Sequence, residues 1–170
     1  LRDFYRFAGR EQQFINTILI PVYLIEQTEP VWMRPEWMDR VVQAAGSYAD
    51  MAMLQTAWDL ALRCRETTLL EKAWVDWRAR TCYLRRVKSR RIKFYEQVLD
   101  LEEKTLNLLR LHLNERGEDK SPYLFVRKWR GELHQIDTQT VQHVLRGALE
   151  KAGVKSPDGR KITFHAIRHG

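Results

Sequence analysis

Four side chains in this sequence have the types and spacing to act together on an oxyanion: Arg63, Lys88, His165 and Arg168. An arginine offers a planar fork of N–H donors that fits two oxygens of one anionic group, a lysine brings a proton it can give up, and a histidine titrates near neutral pH. His165 and Arg168 stand three residues apart, which on a helix places them on one face. Taken singly, each also fits an ordinary role: Arg63 as the ion-pair partner of Glu66, Lys88 as a solvated charge, His165 as a packing residue. Joint chemistry requires a fold that gathers three remote stretches of chain.

The elements that must do this read as mainly helical. Residues 1–12 look helical, and the apolar stretch up to Pro30 reads as an extended connector, so residues 1–30 are expected to be the end of a preceding domain and its linker. Pro35 at a first helical position, Glu36 and Asp39 in the opening turn and Gly46 as a stop describe one helix. A second spans about Tyr48 to Leu62, with Met51, Leu54, Trp58, Ala61 and Leu62 on one stripe. From Thr81 to Tyr95, β-prone residues alternate with basic ones around Ser89, the pattern of a hairpin.

Val98, Leu101, Leu106, Leu109 and Leu113 then predict a long helix ended by Gly117, and Tyr123–Val126 a third strand. Asp137 or Thr138 caps another helix that stops at Gly153. After the Pro157–Gly159 turn, Thr163 is placed to cap a last helix carrying His165 and Arg168, near the helix end whose dipole favours a phosphate. The expected class is α+β, mainly α, with one small antiparallel sheet.

Composition bounds the reading further. At 170 residues, 44% hydrophobic and 30% charged, with 8 Gly and 5 Pro, the chain has the make-up of one sizeable globular domain and excludes collagen-like or low-complexity structure. Two cysteines, Cys64 and Cys82, without a signal-peptide pattern fit neither a disulfide scaffold nor a structural zinc site, and predict a cytoplasmic protein. The longest apolar run, Phe14–Ile25, has 12 residues, against the roughly 20 a membrane-spanning helix needs. The net charge of +7 is unevenly spread: Arg63–Lys93 holds eleven Lys or Arg against three acids, leaving the rest of the chain at −1. An excess so localised has the footprint of a phosphate-binding face.

The order of these features resembles a known family. Ala61-Leu62-Arg63-Cys64-Arg65-Glu66, followed by Leu69, Leu70 and Val75-Asp76-Trp77, is similar to the first catalytic box of the tyrosine recombinases, the phage integrase family, with Ala61 where that family usually has Gly. About a hundred residues on, Phe164-His165-Ala166-Ile167-Arg168-His169 resembles the second box, His-x-x-Arg-His, and the basic hairpin between them carries Lys88 where the family keeps a catalytic lysine. The resemblance covers residues 31–170 as the catalytic domain.

It implies that Arg63 and Arg168 hold the non-bridging oxygens of a scissile DNA phosphate and that Lys88 protonates the departing 5′ oxygen, with Lys93 across the hairpin as the alternative donor. His165 would assist proton transfer at the nucleophile. Glu66 and His169 would support these groups, while Arg65, Arg85, Arg86, Arg90, Arg91 and Lys93 would contact DNA. Neither a metal nor another cofactor is implied, because arginines supply the positive charge.

The implied partners are double-stranded DNA and, when full length, three further copies in a homotetramer on paired sites. The family's tyrosine nucleophile follows the second box, and none of the six tyrosines here stands in that place. The chain therefore reads as a fragment lacking its nucleophile and inactive by itself. Two other functions compete: a DNA-binding or regulatory module descended from such an enzyme, and an unrelated helical nucleic-acid-binding domain.

Overall fold

A computed structural model describes residues 31–88 and 93–168, and of residues 86–88 and 93–95 the backbone only. The expectations for residues 1–30, Ser89, Arg90, Arg91 and His169 lie outside the described residues. The chain partitions into Leu1–Pro30 and Val31–Gly170, and all of the described helices and strands belong to the second part.

Helix α1 (Pro35–Ala44) opens on its proline and buries Met38, Val41 and Val42, three positions on one helical stripe. Helix α2 (Tyr48–Asp59) is capped by Ser47, whose hydroxyl accepts the Asp50 N–H at 3.1 Å. The one-sided stripe expected for it is not what the structure shows. Residues Ala52 to Ala57 are all buried, Gln55 and Thr56 included, while Met51 and Trp58 are only half-buried. The reason is position: α2 is the central helix, packed against α1, against α4 (Glu103–Arg116) and against α6 (Phe164–Arg168). A helix covered on several sides has no polar face to alternate with its apolar one.

After α3 (Cys64–Thr68) comes a three-stranded antiparallel sheet in the order β1 (Val75–Asp76), β2 (Thr81–Lys88), β3 (Lys93–Asp100), in register from Thr81↔Asp100 to Lys88↔Lys93. Cys82 and Leu84 point into the core, and Arg85 is exposed. The expected hairpin is present, but its return strand runs on to Asp100. Val98, read as the start of a helix, is instead a strand residue left 65% exposed. The helix begins only at Glu103, where a remote group fixes it: one Asp59 carboxylate oxygen accepts the Glu102 N–H at 2.9 Å and the Thr105 hydroxyl at 2.7 Å. Asp59 thus caps α4 from the end of α2, a signal with no local trace in the sequence.

The segment Tyr123–Val126 is not a strand of this sheet. Tyr123 makes an isolated bridge to Glu71, and Leu124 and Phe125 are buried. His112 and Arg116 of α4 hold the Leu124 carbonyl at 3.0 and 2.9 Å. A second hairpin follows, β4 (Val126–Trp129) with β5 (Glu132–Gln135), through a turn whose Arg130 and Gly131 both have positive φ, 50° and 88°. Helix α5 (Thr138–Ala152) starts as expected, with the Asp137 carboxylate accepting the Thr140 N–H at 2.7 Å, and ends on left-handed Gly153. It buries Val141, Val144, Leu145, Ala148 and Leu149. Helix α6 places Ala166 and Ile167 in the core beside Leu54, Leu62, Leu106 and Leu109. Among the described residues, no helix is long and apolar enough to cross a membrane.

Candidate active site

Between α2 and α3 the chain makes a turn that aims two arginines at one point. Leu60 and Leu62 are fully buried, and Ala61 between them is held at φ 47°. That left-handed conformation costs a side-chain-bearing residue about 1–2 kcal/mol and glycine nothing comparable. A glycine, as the resembling family usually has here, would adopt that angle without the cost. The same turn presents the Ala61 carbonyl to Nη1 of Arg168, which donates to it at 3.3 Å across 107 residues of sequence.

Glu66 joins the two boxes. One carboxylate oxygen accepts the Arg63 backbone N–H at 2.7 Å, and the other accepts Nη1 of the Arg63 side chain at 3.0 Å. The first of these oxygens also lies 3.7 Å from Nη1 of Arg168. Glu66 is only 13% exposed, Arg168 21% and Arg63 49%, so a mostly buried carboxylate supports one half-exposed and one mostly buried arginine. The arrangement neutralises part of their mutual repulsion and fixes their spacing before any ligand arrives. The sequence points to Glu66 as a support for Arg63; its reach to Arg168 appears only in the fold.

On α6, Phe164 and Ile167 face inward at one i, i+3 pair of positions, which leaves His165 and Arg168 on the outward pair. The helix opens with the Thr163 carbonyl accepting the Ala166 N–H at 2.9 Å. His165, Arg168, Arg63 and Arg65 all line one cleft of about 750 Å³ between α3, α5 and the chain that follows α5. Its floor is apolar, formed by Leu62, Leu145, Leu149, Ile162 and Phe164. Cys64 also faces it; burial pushes the thiol pKa up, and Sγ donates to the Thr138 carbonyl at 3.3 Å, tying α3 to α5.

The cleft adds cations from outside the basic stretch Arg63–Lys93. Arg146, Lys155, Arg160 and Lys161 stand on its rim, and Glu150 is the one carboxylate lining it among the described residues. None of these four cations lies in the Arg63–Lys93 stretch that composition marks. Between Lys151 and Arg168 the sequence holds five Lys or Arg against Asp158 alone, a local excess that a second charge window would find. Arg160 is partly answered by Asp158, whose carboxyl is held well below the usual range by that guanidinium and by the Ser156 hydroxyl.

The other expected residues lie elsewhere or lack a described side chain. Lys88 ends β2 opposite Lys93, and Arg86 pairs with Tyr95; only their backbone is described. Arg85 is exposed on β2 opposite Glu96 and does not line the cleft. The structure therefore brings together Arg63, Arg65, Glu66, His165 and Arg168. Among the described residues no cluster of three His, Cys, Asp or Glu side chains could hold a metal ion.

This fold has counterparts among known proteins. A comparison with curated proteins finds no match. Among solved structures, the fold is similar to XerA recombinase, with a TM-score of 0.67 and 23% identity over 84% of this chain and 49% of that one. It is similar to lambda integrase residues 75–356, a dimer bound to a COC′ core site, with a TM-score of 0.63 and 16% identity over 98% of this chain and 60% of that one. It is also similar to XerH site-specific recombinase bound to difH substrate, with a TM-score of 0.59 and 16% identity over 86% of this chain and 44% of that one. The chain thus spans from under half to three-fifths of the length of these structures. The sequence model of the phage integrase family matches residues 32–170, both boxes and the hairpin included, and by that match this chain belongs to the phage integrase family.

Proposed function

We propose that residues 31–170 are the catalytic-domain portion of a site-specific tyrosine recombinase, with residues 1–30 the end of a core-binding domain and its linker. In this reading the cleft receives one phosphodiester of duplex DNA. Arg63 and Arg168 hold its two non-bridging oxygens with forked, charge-assisted hydrogen bonds, where negative charge builds in the transition state. His165 assists proton transfer at the attacking oxygen, and Lys88 gives a proton to the departing one. A tyrosine oxygen attacks phosphorus, the bond from phosphorus to the 5′ oxygen breaks, and a 3′-phosphotyrosyl link forms. Attack by a 5′ hydroxyl of the partner strand reverses the step and releases the tyrosine.

The tyrosine itself is assigned to a segment beyond residues 1–170. Tyr48, Tyr83 and Tyr123, the tyrosines whose side chains are described, do not line the cleft. The present chain would then bind DNA without cutting it, and the full-length protein would act as a homotetramer on paired sites. Two of the similar structures, XerH and lambda integrase, hold DNA, which supports duplex DNA as the partner.

One observation carries the reading: Arg63 and Arg168, from distant boxes, meet over a single carboxylate at a cleft that also holds His165. A nicked suicide substrate tests it. The full-length protein should form a covalent adduct, and Arg63→Ala or Arg168→Ala should slow adduct formation about 10²- to 10³-fold with duplex binding largely intact. Adduct at the parental rate in either variant would refute the assigned roles, and a full-length protein that forms none would favour the non-catalytic module.

A further inference from the structure

The β4–β5 hairpin lacks what normally holds such an element together. Of its eight residues, Val126 is half-buried and the other seven are exposed, Trp129 at 65% and Leu133 at 37%. A two-stranded ribbon with no packed face is marginal in water. Directly paired residues share a face, so the register puts Arg127, Trp129, Glu132 and His134 on one side and Lys128 with Leu133 on the other. Arg130 occupies the turn at φ 50°, where Asn or Gly fits with less strain, and its guanidinium lies 5.9 Å from the Trp129 ring centre.

The hairpin is nevertheless firmly mounted. The Gln135 amide donates to the Thr68 carbonyl at the end of α3 (2.8 Å), Ile136 is buried, and Asp137 then caps α5. It therefore projects from the two helices that border the cleft. The hairpin sequence holds three cations, Arg127, Lys128 and Arg130, and a single acid, Glu132. Its two exposed apolar side chains, Trp129 and Leu133, are on opposite faces. Neither face offers the roughly 800 Å² per partner that a stable protein contact needs, whereas a phosphate backbone is held by a few well-spaced cations.

We propose that the β4–β5 hairpin is a second contact to duplex DNA beside the cleft, with Arg127 and Arg130 on backbone phosphates and Trp129 packed against the sugar edge between them. The proposal rests on the DNA reading of the cleft and adds to it a binding element outside the basic hairpin β2–β3. It accounts for a Trp and an Arg kept together at the tip of a ribbon that buries neither.

The test is duplex binding by the 170-residue chain, followed by fluorescence anisotropy over a range of salt concentrations. Arg127→Ala with Arg130→Ala should lower the log–log salt slope by about two units. Trp129→Ala should weaken binding about tenfold at an unchanged slope, the loss of one neutral, buried aromatic contact. Because all three side chains are exposed, thermal melting should stay at the parental value, and it serves as the folding control.

If these variants keep the parental slope and affinity while Arg85→Ala lowers the slope, the DNA reading stands and the hairpin proposal is overturned. If Trp129→Ala instead changes the sedimentation of the chain at an unaltered salt slope, the hairpin is a protein contact, and the proposal fails in that way. A chain that binds no duplex at all overturns both.

Discussion

The cleft arginines and the hairpin cations carry the same charge in opposite mechanical settings. Arg63 and Arg168 stand on a floor of buried leucines and share a carboxylate that is itself mostly buried. Arg85 on β2, and Arg127 and Arg130 of the second hairpin, stand on exposed strands and a turn. The first setting fixes where a guanidinium points, which is what stabilising a transition state demands. The second places charge on exposed side chains, which in the proposed reading is sufficient for holding a polyanion at many registers. In the proposed reading, position comes from the core and affinity from the surface.

The largest way to break this contrast is to remove the floor. Leu62→Ala, at a fully buried site next to Arg63, should lower unfolding free energy by about 2–5 kcal/mol, whereas Trp129→Ala should change it by less than about 0.5 kcal/mol. Chemical denaturation measures both, and equal effects would show that the two regions are not mechanically distinct. The next largest effect separates geometry from charge. Arg168→Lys keeps the cation but loses the fork, so adduct formation by the full-length protein should fall about 10²-fold. Arg85→Lys on the hairpin should leave DNA affinity and salt slope unchanged, and a comparable loss there would erase the distinction.

A smaller effect sharpens it at the turn beneath the arginines. Ala61→Gly relieves the left-handed angle of 47° and should stabilise the fold by about 1 kcal/mol, set against the glycine's greater freedom when unfolded. A lower melting temperature in that variant would mean the turn is not strained. The smallest concerns the support of the second hairpin. Burial pushes the His112 imidazole below its usual pKa, so the folded state resists its protonation. Stability is then fully present above the unfolded value of about 6.5 and is lost as pH falls below it toward the lower folded value. Melting temperature followed against pH should show that decline, and His112→Gln should flatten it; an unchanged profile would exclude the histidine as its source.

Much of this is legible from residue order, and the losses have identifiable causes. Capping and periodicity locate α1 and α5 because their signals are local: Pro35, the Asp137 cap, and apolar residues on one stripe. The stripe fails for α2 because a helix covered on several sides buries Gln55 and Thr56 as readily as leucine. The start of α4 is misplaced because its cap, Asp59, is remote in sequence. The β4–β5 hairpin escapes notice because exposed strands show no apolar alternation.

At the site, Arg63, His165 and Arg168 are readable from their boxes, and they do line one cleft. Arg146, Lys155, Arg160 and Lys161 are missed, because a single strongly basic stretch draws the whole charge argument to Arg63–Lys93. Sequence locates a charge along the chain. Only the packing of α3, α5 and α6 tells which charges share a cleft.

The most direct test of the central claim is a crystal structure of this chain bound to duplex DNA. The expected result is one phosphate in the cleft, with guanidinium nitrogens of both Arg63 and Arg168 about 2.7–3 Å from its non-bridging oxygens and Glu66 still bound to the Arg63 backbone. A complex in which the two arginines contact different phosphates, or in which DNA crosses another face and leaves the cleft empty, would contradict it.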